Sequence, residues 1–206
     1  LEGLLALEPV LSTRGPFGIH LSLLDSALAH EEVANINPQL RARVLESRGR
    51  ARRARGMLDE SLADLEAALA LAEAAEDRAL EGRVRGNIGT HYLFTDRLDD
   101  ADVQYQVALV MLREEDEQLL VGRALAFMGQ LNHRLGLTQD AIQNYEEALE
   151  IMREVGDRRY EAIALTWLGS TRRELGELDK ASELLERALA GHRNVGNRRY
   201  EGAVLT

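Results

Sequence analysis

Four glycines, Gly49, Gly89, Gly129 and Gly169, stand 40 residues apart, and that spacing makes the chain an internal repeat. Two further ladders keep step. Gly56, Gly136 and Gly176 recur with Asp96 in the place between the first two, and the pairs Ala68-Leu69, Ala108-Leu109, Ala148-Leu149 and Ala188-Leu189 mark the same interval. A period of about 20–50 residues is the signature of a solenoid, whose units bury their apolar faces only by stacking on neighbours. The chain is therefore read as one array over 1–206. A divergent unit fills 1–37, four units of 40 residues fill 38–198, and 199–206 opens another.

Each unit reads as a pair of helices. Residues 160–174 carry Leu165, Leu168 and Arg172 at helical spacing and end at Leu175-Gly176, the glycine suiting a left-handed C-terminal cap. A second helix from Asp179 to about Val195 sets Ala181, Leu184, Leu185, Ala188 and Leu189 on one face, and Gly196-Asn197 closes it. In the preceding unit Gly156 ends one helix and Asp157 caps the next. No stretch alternates polar and apolar residues between turns, so strands are not expected. With aromatics at 4%, the interior must be built from Ala, Leu, Ile and Val. Near the N-terminus, residues 23–29 parallel 184–190 and predict a second helix. Its partner is expected over 1–12, kinked at Pro9, with a turn at Arg14-Gly15-Pro16 and a break at Asn35-Ile36-Asn37-Pro38.

Composition removes several classes of function. A net charge of −10 opposes nonspecific nucleic-acid binding, which depends on clustered Lys and Arg neutralising phosphates. Cysteine is absent, so disulfides, thiolate metal sites and cysteine nucleophiles are excluded, and a reducing, cytoplasmic setting is expected. The apolar run 62–75 is broken by Asp64, Glu66 and Glu73 and cannot span a bilayer. The sole lysine, Lys180, follows Asp179, so no P-loop exists; Gly82, Gly86 and Gly89 lie within a helix at the wrong spacing for a dinucleotide turn. His20, His30, His91, His133 and His192 show no paired metal spacing. Neither an enzyme nor a cofactor is predicted.

Aligned on the signature glycine, the units resemble tetratricopeptide repeats. Leu168-Gly169, Met128-Gly129 and Ile88-Gly89 match that family's Leu-Gly pair, with Arg48-Gly49 the weakest copy, and Tyr92 alone supplies its first-helix tyrosine. Ala101, Ala141 and Ala181, with Ser61, match the small residue opening the second helix; Tyr105, Tyr145, Leu65 and Leu185 match the large residue after it. Ala68, Ala108, Ala148 and Ala188 match the later alanine. The unit is longer than the family's usual 34 or so and lacks the proline near its end. Long-repeat arrays of this kind are similar to those of kinesin light chains, cell-polarity scaffolds, bacterial transcription regulators and signalling ATPases. The implied fold is all-α: a right-handed superhelical α-solenoid of antiparallel helix pairs.

The resemblance also implies that the first helices pave a concave groove. Its lining positions hold Arg43, Glu46, Arg50 and Arg53; Arg83, Gly86, Thr90 and Leu93; Arg123, Ala126, Gln130 and His133; and Ile163, Thr166, Ser170 and Arg173. Arginine forks grip carboxylates or phosphates bidentately, and they equally pair with acidic residues on neighbouring helices. The candidate binding set is Arg43, Arg50, Arg53, Arg83, Thr90, Arg123, Gln130, His133, Ser170 and Arg173. The lysine-based carboxylate clamp of chaperone-binding arrays is not reproduced. The expected partner is a protein or peptide, of acidic character, and neither nucleic acid nor membrane; exposed terminal helices offer a homodimer contact. The alternative is a sensor for a small molecule or signal peptide that controls an attached ATPase or transcription-regulator output.

Overall fold

The computed structural model describes residues 2–6, 17–29 and 37–204, and every element among them is helical. The expected kink at Pro9, the turn at Arg14-Gly15-Pro16 and most of the break at Asn35-Ile36-Asn37-Pro38 lie outside the described residues. The chain divides into two compact units, Leu1–Glu115 and Asp116–Thr206.

The first unit holds α1 (Phe17–Ala29), α2 (Pro38–Ala54), α3 (Leu58–Ala74), α4 (Arg78–Phe94) and α5 (Leu98–Glu114). The second holds α6 (Gln118–Arg134), α7 (Thr138–Val155), α8 (Arg158–Glu174), α9 (Leu178–Val195) and α10 (Arg198–Val204). Corresponding helices begin 40 residues apart, as the glycine ladder requires: α2, α4, α6 and α8 open at Pro38, Arg78, Gln118 and Arg158. Within each unit the tightest packing joins the two helices of a hairpin, α2 on α3 and α4 on α5, then α6 on α7 and α8 on α9. The segment 23–29 is helical as its likeness to 184–190 predicted, and α1 packs on α2.

Local chemistry sets the boundaries. Asn37 accepts a hydrogen bond from the Gln39 amide (2.8 Å) ahead of Pro38, which has no amide proton to leave unpaired. Asp77 accepts from the Leu80 amide, and Asp157 from the amides of Arg159 and Tyr160. Hairpin turns close in the left-handed region at Gly56, Gly136 and Gly176, and Asp96 takes the same conformation (φ 64°) where the ladder lacks its glycine. Between successive hairpins the left-handed residue is Gly156 or Gly196 late in the chain, but Glu76 (φ 52°) and Asp116 (φ 55°) earlier.

Within each unit the buried core runs from one hairpin into the next. In the first unit Ala42, Leu45, Leu65, Ala68, Ala72, Leu80, Val84 and Ile88 form one buried cluster. In the second, Ile142, Tyr145, Leu149 and Met152 of α7 are buried, as are Ile163, Leu165 and Leu168 of α8. Full burial of such a side chain contributes about 1.5–3 kcal/mol. The signature glycines supply the depth of these contacts. A Cβ on Gly49 would lie 3.0 Å from Leu65 Cγ, and one on Gly169 would lie 2.9 Å from Leu185.

Candidate functional site

The predicted lining residues sit on α2 and α4 in the first unit and on α6 and α8 in the second. In the first unit they converge on an acidic residue. Glu46 is 3% exposed, and its carboxylate meets Arg83 Nη2 at 2.6 Å and Arg50 Nη1 at 3.8 Å and accepts a hydrogen bond from Asn87 Nδ2 at 2.8 Å. A buried carboxylate demands such partners, because stripping its water without replacing it costs several kcal/mol (order of magnitude). Arg43, on the same stripe, is exposed. The Arg53 guanidinium lies 5.2 Å from the centre of the Phe94 ring. Burial, then the positive charges of Arg53 and Arg97, opposed by Asp59, hold the His91 pKa below its ordinary value.

Thr90 is placed differently from the other candidates. It is 3% exposed, donates to the Gly86 carbonyl (2.9 Å) and accepts from the Tyr105 hydroxyl (3.0 Å). Its hydroxyl therefore satisfies the Tyr105 phenol inside the α4–α5 hairpin rather than facing a ligand. Sequence spacing placed it on the stripe; the bulk of Tyr105 beneath Gly89 drew it into the core.

In the second unit the candidates remain separate. Arg123 Nη2 donates to Asp157 Oδ2 at 2.7 Å and lies 4.4 Å from the centre of the Tyr160 ring. Because the other Asp157 oxygen caps α8, one carboxylate ties α6 to the start of the next first helix. His133 Nε2 is 2.8 Å from Glu174 Oε2. Gln130 and Ser170 are half-buried and Arg173 is exposed.

Glu46 and Asn87, with Asp157 and Tyr160, were not among the candidates, although they decide where Arg50, Arg83 and Arg123 point. The sequence held one signal: Glu46 and Asn87 are 41 residues apart, as are His133 and Glu174, so each pair joins successive first helices one residue beyond the 40-residue period. Among the described residues no three His, Asp or Glu side chains come together as a metal site, and no helix is long and apolar enough to cross a membrane.

Residues 120–194, α6 to α9 almost entirely, match the family described as tetratricopeptide repeat. Residues 120–194 carry tetratricopeptide repeats. No curated protein sequence matches it. Solved structures do, at identities that show the fold alone. The Rap conjugation gene regulator of plasmid pLS20, in complex with the Phr* peptide, superposes with a TM-score of 0.82 at 16% identity, covering 91% of this chain and 52% of that one. A signal transduction ATPase with numerous domains from Pyrococcus horikoshii, which has a tetratricopeptide repeat sensor, gives 0.71 at 18% identity over 98% of this chain and 31% of that one. A putative kinesin light chain from Podosopora anserina with nearly identical repeats gives 0.63 at 15% over 94% and 95%. The tetratricopeptide fold thus extends over the N-terminal hairpins, where Arg48 stands in the Leu-Gly position and the family match does not reach.

Proposed function

We propose that this chain is a non-enzymatic regulatory repeat domain that binds a peptide or extended partner segment, of acidic character, along its first helices. The observation that carries this reading is the excess of guanidinium groups over carboxylates at the lining positions of the first unit, where Arg43, Arg50, Arg53 and Arg83 stand with the one carboxylate of Glu46. Arg50 and Arg83 share the single buried carboxylate of Glu46, while Arg43 is exposed on the same stripe. Forks held by an internal carboxylate are already oriented, which lowers the entropy lost when a ligand carboxylate joins them. In the second unit Gln130 and Ser170, half-buried, offer groups suited to peptide backbone.

Arg43 and Arg173 are the residues to test, because Arg83 and Arg123 also hold internal carboxylates and their loss would disturb the fold. Titrating a fluorescein-labelled peptide rich in Asp and Glu against the Arg43→Gln/Arg173→Gln chain should show weaker binding and a flatter dependence on salt. Affinity equal to that of the unaltered chain would remove this stripe as the site.

The second reading is a sensor that tightens on binding and controls an output domain. It is supported by likeness to a regulator in complex with a peptide and to an ATPase with a repeat sensor. Small-angle scattering with and without peptide separates the two: a sensor changes its envelope, and a passive scaffold keeps it.

A further inference from the structure

The repeat supplies its own control for an unusual face on α5. Counted in steps of 40, the positions of Val103, Val107 and Val110 hold Ala63, Ala67 and Ala70 on α3, Gln143, Glu147 and Glu150 on α7, and Glu183, Arg187 and Ala190 on α9. All twelve residues are exposed, so the hairpin geometry turns this stripe to solvent in every copy. Only α5 fills it with large apolar side chains, 57%, 39% and 58% exposed. Valine is a poorer helix former than the alanine, glutamate or glutamine found elsewhere. The contact of α5 with α4 is made from the opposite side, by Ala101, Tyr105, Ala108 and Leu112. Three valines at i, i+4 and i+7 therefore serve neither the helix nor the core, and they form a continuous apolar strip ~10 Å long.

Charge indicates what covers the strip. The face that carries the valines also carries Asp99 and Asp100 at its N-terminal end, Gln106 beside its middle and Glu114 at its C-terminal end, all exposed. Arg97 holds Asp100, and Arg78 holds Glu114 and, at 3.6 Å, Glu115, while Arg113 stands at the edge. Asp102 accepts from Gln106 at 2.7 Å. Each end of the strip thus sets two carboxylates, Asp99 with Asp100 and Glu114 with Glu115, against one pairing guanidinium. A second copy of α5 laid antiparallel would set Asp99 of each copy beside Glu114 of the other, a like-charge contact at both ends. Complementarity requires the reverse.

We infer that the α5 face is a docking site for an amphipathic helix of another protein, with an apolar stripe of two turns and lysine or arginine flanking it. The valine strip takes the apolar i, i+3, i+7 anchors of that helix, and Asp99, Asp100 and Glu114 set its position. This surface is distinct from the peptide-binding stripe proposed above, so it stands whether or not that reading holds.

The test uses the 206-residue chain and three fluorescein-labelled helical peptides. The first carries leucines at i, i+3 and i+7 with flanking lysines, the second has glutamate for each lysine, and the third has the first peptide's composition with leucines and lysines scrambled around the helix. The comparison chain is Val103→Gln/Val107→Gln/Val110→Gln, which takes neutral residues of the kind seen at Gln143 and keeps the net charge. Circular dichroism should show it as helical as the original. Fluorescence anisotropy should show saturable binding of the first peptide alone, weakened at least tenfold in the triple variant and reduced by salt. Equal binding to the variant, equal binding of the scrambled peptide, or no binding of the first peptide would overturn the inference. So would sedimentation equilibrium showing a dimer of the original chain that the triple variant loses, which would make the occupant a second copy.

Discussion

Gly129 lies against the Tyr145 ring so closely that a Cβ on it would fall 2.6 Å from ring atoms Cδ1 and Cε1. The hairpin of α6 and α7 closes on that contact, and the buried Tyr145 ring cannot retreat without opening a cavity. Gly129→Ala should therefore destabilise the chain by about 1–3 kcal/mol. Gly86 is the counterexample: the nearest atom to a Cβ there is Ala108 Cβ, 4.0 Å away, so Gly86→Ala should gain about 0.5–1 kcal/mol from helix propensity. Urea denaturation of the two variants should move in opposite directions.

Glu76 closes α3 at φ 52°, a conformation left to glycine at Gly156 and Gly196. A side chain there costs about 1–2 kcal/mol relative to glycine, partly offset by the greater freedom glycine has when unfolded. Glu76→Gly should raise stability by up to about 1 kcal/mol. A lower melting temperature would show that the Glu76 side chain makes a compensating contact.

His192 is buried, and desolvation pushes its pKa down to about 4. Thr166 uses its single hydroxyl proton on the Ala162 carbonyl, so its oxygen accepts from His192 Nε2 at 2.9 Å, leaving Nδ1 deprotonated and buried. The folded-state pKa lies below the ordinary 6.5, so the neutral ring's contribution is complete above pH 6.5 and is lost as pH falls toward 4. The whole contribution is about 3 kcal/mol. Denaturation curves of the unaltered chain and of His192→Gln, compared at pH 7 and pH 4.5, should show a smaller pH effect in the variant.

Arg48 and Asp64 form an ion pair across the α2–α3 hairpin. Arg48 Nε and Nη2 grip the two Asp64 oxygens at 2.8 and 2.6 Å, Arg52 adds a bond at 2.8 Å, and both arginines reach Asp25 on α1. Burial alone would lower the Arg48 pKa, and the Asp64 and Asp25 carboxylates reverse that, so the net shift is upward. The corresponding residues in the last hairpin are Leu168 and Leu184. Asp64→Leu alone should cost about 3 kcal/mol by leaving the Arg48 and Arg52 charges with Asp25 as their one remaining carboxylate of this cluster. The double variant Arg48→Leu/Asp64→Leu should recover part of that loss in a double-mutant cycle, the part that belongs to Arg48.

Much of the fold was legible because helical hairpins are local. The expected second helix from Asp179 to about Val195 is α9, the cap at Asp157 is formed, and Gly156, Gly176 and Gly196 are left-handed. The candidate site was legible only as a list of positions. Arg43, Arg50 and Arg83 were placed on the correct helices, but the spacing carried no information on whether each guanidinium would meet solvent, a carboxylate or a ring. Arg48 looked like a defect in the Leu-Gly ladder, and it is one half of an ion pair whose other half, Asp64, lies on the next helix.

By itself the sequence determined the repeat length, the all-α class, the helix pairs and the close approach at each signature glycine. All of these follow from periodicity and from side-chain volume, which act between residues near in the chain or one period apart. Only the tertiary structure decided which polar groups meet. It sank Glu46 between Arg50 and Arg83, turned Thr90 inward to Tyr105, laid Arg123 on Asp157 and Tyr160, and left three valines of α5 in water. A few ångströms separate a buried ion pair from an open binding fork, and that distance is set by how the helices pack.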